Sequence, residues 1–103
     1  MSRPLKIQIV ETARALIADE QHWCRRHLAQ DVNGISVSPT SAKAVKRCGF
    51  GALIAAAYEL THDFDAAHQL GHEALRPATV IYVNDIRGHA AVPALFDEVI
   101  AVG

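Results

Sequence analysis

Apolar residues recur at helical spacing in three stretches of this chain, and each stretch predicts a helix. Residues 5–18 carry one apolar stripe, and Pro4 before them favours a helix start. Residues 64–75 carry a second stripe that ends before Pro77. A third helix begins near Ala90, because a proline three residues later is tolerated only in a first turn. The three stripes consist of Leu5, Ile9, Val10, Ala13, Leu16 and Ile17, then Phe64, Ala67, His68, Gly71, Ala74 and Leu75, and finally Val92, Leu95, Phe96, Val99 and Ile100.

A fourth helix is predicted from Thr40 or Ser41 to about Leu60. Threonine and serine side chains commonly cap the first turn of a helix. From Cys48 onward the residues are apolar on every side, which is typical of a central, buried helix. Small residues such as Gly51 allow neighbouring backbones to approach this helix closely.

Two segments favour extended backbone. Residues 27–38 contain Asn33-Gly34, a pair that favours a type I′ hairpin turn, with a plain loop as the alternative. Residues 79–83 are β-branched and aromatic, which predicts an extended segment or short strand, with a short helical segment as the alternative. We therefore predict a mainly α fold of about four helices around one core, in a single domain of residues 1–103. The alternative fold class is α+β.

Composition limits the classes of protein to consider. The chain has 103 residues, 50% of them hydrophobic and 20% charged, which excludes a disordered protein. The net charge of −1 leaves no basic excess to neutralise phosphates, so we expect no nucleic-acid partner. The longest apolar run, residues 50–58, is too short to span a bilayer. The high apolar content of so small a chain favours self-association into a homo-oligomer.

The two cysteines, Cys24 and Cys48, do not form a CxxC motif. No signal peptide is evident, so we expect a cytoplasmic protein in which both thiols stay reduced, with a disulfide as the alternative. Trp23, the only tryptophan, is expected to pack the hairpin region onto the helices.

Three residues of the helix predicted over residues 64–75 are candidate metal ligands. Asp65, His68 and His72 share one helical face, and a carboxylate with two imidazoles is a donor set for a divalent metal. The spacing lacks the glutamate of the H-E-x-x-H motif, and no fourth ligand is evident. The alternative is that these side chains border the core or lie in solvent. We predict no cofactor, with a divalent metal at this face as the competing hypothesis.

The turn before the last helix concentrates polar residues, N-D-I-R-G-H over residues 84–89. Asn84 and Asp85 are typical turn residues, and Gly88 supplies a positive φ where the turn needs it. His89 beside Asp85 is a candidate general base, with both residues as catalytic candidates, and Asn84, Asp85 and His89 are candidate binding residues. The alternative is that the turn only reverses the chain before the final helix.

The order of W-C, A-Q-D-V-N-G-I-S-V, A-V-K-R-C-G-F-G-A-L and N-D-I-R-G-H-A-A-V-P-A-L-F-D-E-V-I resembles a family of small bacterial and phage proteins classed as a domain of unknown function. The resemblance covers the chain from the first helix to Ile100 and implies no activity. We expect a non-enzymatic interaction or structural domain, with a metal-dependent or general-base enzyme as the alternative. The positions that match the family pattern are Trp23, Asp31, Gly34, Cys48, Gly51, Asn84, Asp85 and Asp97.

Overall fold

A computed structural model describes residues 3–103 and confirms a mainly α fold with a minor β component. The described residues form five α-helices rather than about four. None of these helices is long and apolar enough to cross a membrane. The elements are α1 (Leu5–Leu16), a 3₁₀ turn (Glu20–His22), β1 (Ala29–Gln30), β2 (Lys46–Arg47), α2 (Gly49–Thr61), α3 (Phe64–Ala74), α4 (Pro77–Tyr82), a π-helical turn (Val83–Arg87) and α5 (Ala91–Val102).

Helix α2 is the centre of the core, as its apolar sequence predicts. Every residue from Gly49 to Ala57 is buried, with α1 and α3 packed on α2 and α5 packed on α1. Two glycines allow the close approach. A Cβ atom on Gly51 would overlap the carbonyl oxygen of Leu28, and one on Gly71 would lie 2.9 Å from the Ile54 side chain.

The predicted start of α2 is wrong. The helix begins at Gly49 rather than near Thr40 or Ser41. The Cys48 side chain caps it by accepting a hydrogen bond from the backbone N–H of Gly51. The Ser41 hydroxyl instead accepts from the backbone N–H of Lys43 in a local turn. Serine and threonine hydroxyls bond nearby backbone in turns as readily as at helix starts, so the signal at residues 40–41 was ambiguous.

The segment 27–38 turns back on itself, but not through a type I′ turn. Gln30 forms an antiparallel bridge to Ser36, and the main pairing of β1 is antiparallel to β2. Gly34 has φ +78°, whereas Asn33 does not have a positive φ. The Asp31 carboxylate accepts hydrogen bonds from the backbone N–H groups of residues 33 and 35. One left-handed glycine after an aspartate-stabilised turn therefore replaces the two positive-φ residues that we predicted.

The extended segment predicted for residues 79–83 is wrong, and the helical alternative is correct. These residues lie in α4 and the start of the π-helical turn. Pro77 occupies the first turn of α4, where its fixed φ favours the helix. Val80 is completely buried, so tertiary packing outweighs the weak β preference of its branched side chain.

Candidate functional site

Asn84 is the only polar residue classed as buried among those described, with 0% of its surface exposed. Its Oδ1 accepts hydrogen bonds from the Trp23 indole Nε1–H at 2.6 Å and from the Gly49 backbone N–H at 2.8 Å. Its Nδ2 donates to the Cys24 carbonyl at 3.1 Å and to Asp85 Oδ1 at 3.0 Å. An asparagine amide has two donor hydrogens and two acceptor lone pairs. Every one of them is therefore used.

These bonds join three segments that are far apart in sequence. Trp23 and Cys24 follow the 3₁₀ turn, Gly49 opens α2, and Asn84 lies in the π-helical turn. The Gly49 N–H is one of the donors that the start of a helix leaves without an intrahelical partner. Asn84 thus completes the first turn of the central helix and fixes two other segments to it.

The π-helical turn places the Asn84 and Asp85 side chains against the segment at residues 24–26. Its closing bond runs from the Gly88 N–H to the Val83 carbonyl at 3.2 Å, and Gly88 ends it with φ +95°. The positive φ predicted for Gly88 is confirmed. Such turns are frequent at functional sites, which makes this region the candidate site.

Asp85 is half-buried and holds the loop that covers α2. Its Oδ1 accepts from the Arg26 backbone N–H at 3.1 Å as well as from Asn84. Arg26 adopts a left-handed conformation, φ 65°, which is uncommon for a residue with a side chain. The carboxylate therefore helps to fix a strained loop position.

His89 lies two residues before α5, near the helix start as predicted, and contacts the C-terminal end of α1. Its Nε2–H donates to the Ile17 carbonyl at 2.7 Å, because a carbonyl can only accept. Its ring packs against Trp23 with 5.5 Å between centroids. Within the described chain no hydrogen bond or ion pair joins His89 to Asp85. The general-base hypothesis has no such contact to support it and stays a prediction.

A cleft of about 140 Å³ opens beside Asn84 and Asp85. Cys48 and Asn84 are buried and form its inner part, whereas Leu28 and Ile81 are exposed at its edge. A larger hollow of about 400 Å³, between α1 and α5, is mostly apolar and lies away from these polar residues. The smaller cleft is lined by Arg26, His27, Leu28, Cys48, Ile81, Asn84 and Asp85.

Both cysteines near the cleft are free, buried thiols. Burial raises the pKa of Cys24 to about 11. Burial also raises the pKa of Cys48, against the opposing effect of the hydrogen bond from Gly51. Nucleophilic cysteines have lowered pKa values. At neutral pH the site therefore presents two protonated thiols.

The rings of the two α3 histidines pack against phenylalanines, and the three α3 candidates do not converge on one point. The His68 ring packs on Phe64 at 4.9 Å and its Nδ1–H donates to the Phe64 carbonyl. The exposed His72 ring meets Phe50 edge-on at 5.0 Å, and Asp65 is exposed. Within residues 3–103, no three side chains of histidine, cysteine, aspartate or glutamate form a group that could hold a metal ion. The metal hypothesis gains no support and stays a prediction.

Sequence reasoning identified Asn84, Asp85 and His89 but not their partners. Hydrogen bonds to residues 61 and 72 positions away leave no periodic trace in a sequence. The family pattern was the one sequence signal for these partners. Four positions of that pattern meet at the site, and a fifth, Gly51, packs against the loop that covers the site. The four are Trp23, Cys48, Asn84 and Asp85.

The chain belongs to a family of unknown function, DUF6197, whose model matches residues 1–102. No curated protein and no solved structure matches it. The expectation of a domain of unknown function is confirmed.

Proposed function

We propose that this chain is a cytoplasmic, non-enzymatic interaction domain that self-associates. The polar residues at the candidate site support a structural role for that site. All four hydrogen-bonding positions of Asn84 are occupied within the chain, and Asp85 and His89 bond backbone groups of distant segments. Free cysteines fit a reducing compartment.

The observation that carries the proposal is the exposed apolar surface beside these occupied groups. Leu28 and Ile81 line the cleft and are 39% and 42% exposed. Tyr82 and Ile86 follow on the same helical segment and are 55% and 66% exposed. We call these four residues the Leu28 surface. Large exposed apolar side chains near a surface cleft are typical of an interaction site.

A second copy of the chain is the partner that this surface fits. Arg26 and Asp85 line the same cleft as Leu28 and Ile81, so opposite charges border the apolar residues. In a two-fold dimer the same surface meets itself, and each arginine then has an aspartate available on the other copy. The near-neutral net charge of −1 adds little repulsion between copies.

Size-exclusion chromatography with light scattering tests the proposal over a concentration series. We expect the wild type to exceed the monomer mass and the double variant Ile81→Asp/Ile86→Asp to be monomeric. Val32→Asp is the matched control, because Val32 is 79% exposed and lies in the turn after β1; it should keep the wild-type mass. Circular dichroism verifies that each variant is folded. A wild type that stays monomeric at every concentration would overturn the proposal.

A further inference from the structure

Cys24 and Cys48 lie side by side through strand pairing. Trp23 forms a parallel bridge with Arg47, so the next residue on each segment is a cysteine. The Cys24 N–H donates to the Arg47 carbonyl at 3.2 Å. Neighbouring strands are about 4.8 Å apart, and disulfides join Cα atoms roughly 4.4–6.8 Å apart. The register therefore sets the backbone spacing that a disulfide needs.

The register that pairs Trp23 with Arg47 sets Cys24 opposite Cys48 on the two segments. Paired residues of adjacent strands share a face, and both cysteines are buried, with 6% and 5% of their surfaces exposed. Each thiol has a weak local partner. Cys24 Sγ–H donates to the His27 carbonyl at 3.4 Å, and Cys48 Sγ accepts from the Gly51 N–H at 3.2 Å. A disulfide sulfur still accepts a hydrogen bond, so the cap on α2 survives oxidation.

Of the two buried thiols, Cys48 is the one that lines the cleft beside Asn84. This cleft is about 140 Å³ in volume, and Cys24 does not line it. An oxidant that enters the cleft therefore meets Cys48 first, and Cys24 is placed to react second.

We infer that Cys24 and Cys48 form a reversible disulfide when the protein meets a small-molecule disulfide such as oxidised glutathione. The buried Cys48 thiol first gives up its proton to solvent, and the thiolate so formed attacks one sulfur of the oxidant, which leaves a mixed disulfide on Cys48 and releases one glutathione. The Cys24 thiolate then attacks the Cys48 sulfur and releases the second glutathione. The two protein thiols are oxidised, the oxidant is reduced to two thiols, and these take up the two protons lost.

To test this inference, the full chain is incubated with oxidised glutathione. The remaining free thiols are then alkylated, and the intact mass of the protein is measured. We expect the wild type to lose the mass of two hydrogens and to resist alkylation, with digestion yielding the Cys24 peptide joined to the Cys48 peptide. Dithiothreitol should restore both thiols. The oxidised form should unfold at a higher temperature, because the link restricts the unfolded chain between residues 24 and 48.

Two single variants separate the steps. Cys24→Ser should stop at one glutathione adduct on Cys48. Cys48→Ser keeps an oxygen that can cap α2, so it should fold. It cannot form the protein disulfide, and we expect it to form a glutathione adduct more slowly than Cys24→Ser does. The same reagent with the chain unfolded in urea is the control for oxidant activity. The inference is wrong if the folded wild type keeps two free thiols, carries separate adducts, or unfolds at a lower temperature when oxidised.

Discussion

The Asn84 region and the outer face of α3 both carry polar residues that suggest chemistry, yet they are built differently. Asn84 is completely buried and bonds residues more than thirty positions away along the chain, Gly49 and Trp23 among them. On α3, His68 bonds a carbonyl four residues back in its own helix, and Asp65 and His72 are exposed.

The difference shows how to separate structural polar residues from incidental ones. Removing a buried polar side chain leaves its partners without hydrogen bonds and costs their desolvation, whereas solvent replaces an exposed group. The Asn84 region should therefore control the stability of the molecule, and the α3 face should not.

Asn84→Ala should have the largest effect. It leaves the Trp23 indole N–H, the Gly49 N–H and the Cys24 carbonyl without their partner, and each unsatisfied buried group costs roughly 1–3 kcal/mol. We expect the free energy of unfolding to fall by about 3–5 kcal/mol, measured by urea denaturation. Asn33→Ala is the matched control, because Asn33 is exposed; it should change stability by less than about 0.5 kcal/mol. If both variants lose the same free energy of unfolding, burial of Asn84 does not make it more important for stability than an exposed asparagine.

His89→Leu should have the next largest effect. The change removes the donor to the Ile17 carbonyl at the end of α1 while keeping an apolar side chain against Trp23. We expect a loss of about 1–2 kcal/mol in urea denaturation. The exposed His22 provides the control, and His22→Leu should be nearly neutral. A neutral His89→Leu would show that this contact contributes nothing to stability.

High pH should destabilise the Asn84 region through Cys24. Burial raises the Cys24 pKa from 9.0 to about 11, so the unfolded thiol ionises first and stability falls as pH rises from 9 to 11. Cys48 and Asp85 strengthen the shift, and Lys46 opposes it. We expect the wild type to lose on the order of 1 kcal/mol more than Cys24→Ala across this range. If the free energy of unfolding of the two proteins changes equally with pH, the raised pKa of Cys24 is contradicted.

The α3 face should show the smallest effect. His68→Ala/His72→Ala removes two ring contacts but places a stronger helix former at both positions. We expect less than about 1 kcal/mol of change in the free energy of unfolding. Added zinc should not raise the melting temperature of the wild type by more than it does that of the double variant. A zinc-dependent rise confined to the wild type would restore the metal hypothesis.

Local patterns predict four of the five α-helices but not how the site is assembled. The stripes of α1, α3 and α5 follow from periodicity alone, and the apolar run from Cys48 correctly identifies the central helix. Residues 79–83 were misread because a buried Val80 and the proline at the start of α4 outweigh β preference. Asn84 was recognisable as a turn residue, whereas its bonds to Trp23 and Gly49 depend on the packing of segments 35 and 61 residues away.

Asn84 holds Trp23 and the start of α2 inside the fold through the two hydrogen bonds to its Oδ1. The chain has one tryptophan, so its indole N–H gives a single resonance in a proton–nitrogen NMR spectrum. The hydrogen-exchange rates of this indole N–H and of the Gly49 amide test the role of Asn84 in the unmodified protein. We predict that both exchange far more slowly than the backbone amide of Val32, a residue that is 79% exposed. Exchange of the indole N–H as fast as the Val32 amide would show that Asn84 does not protect Trp23.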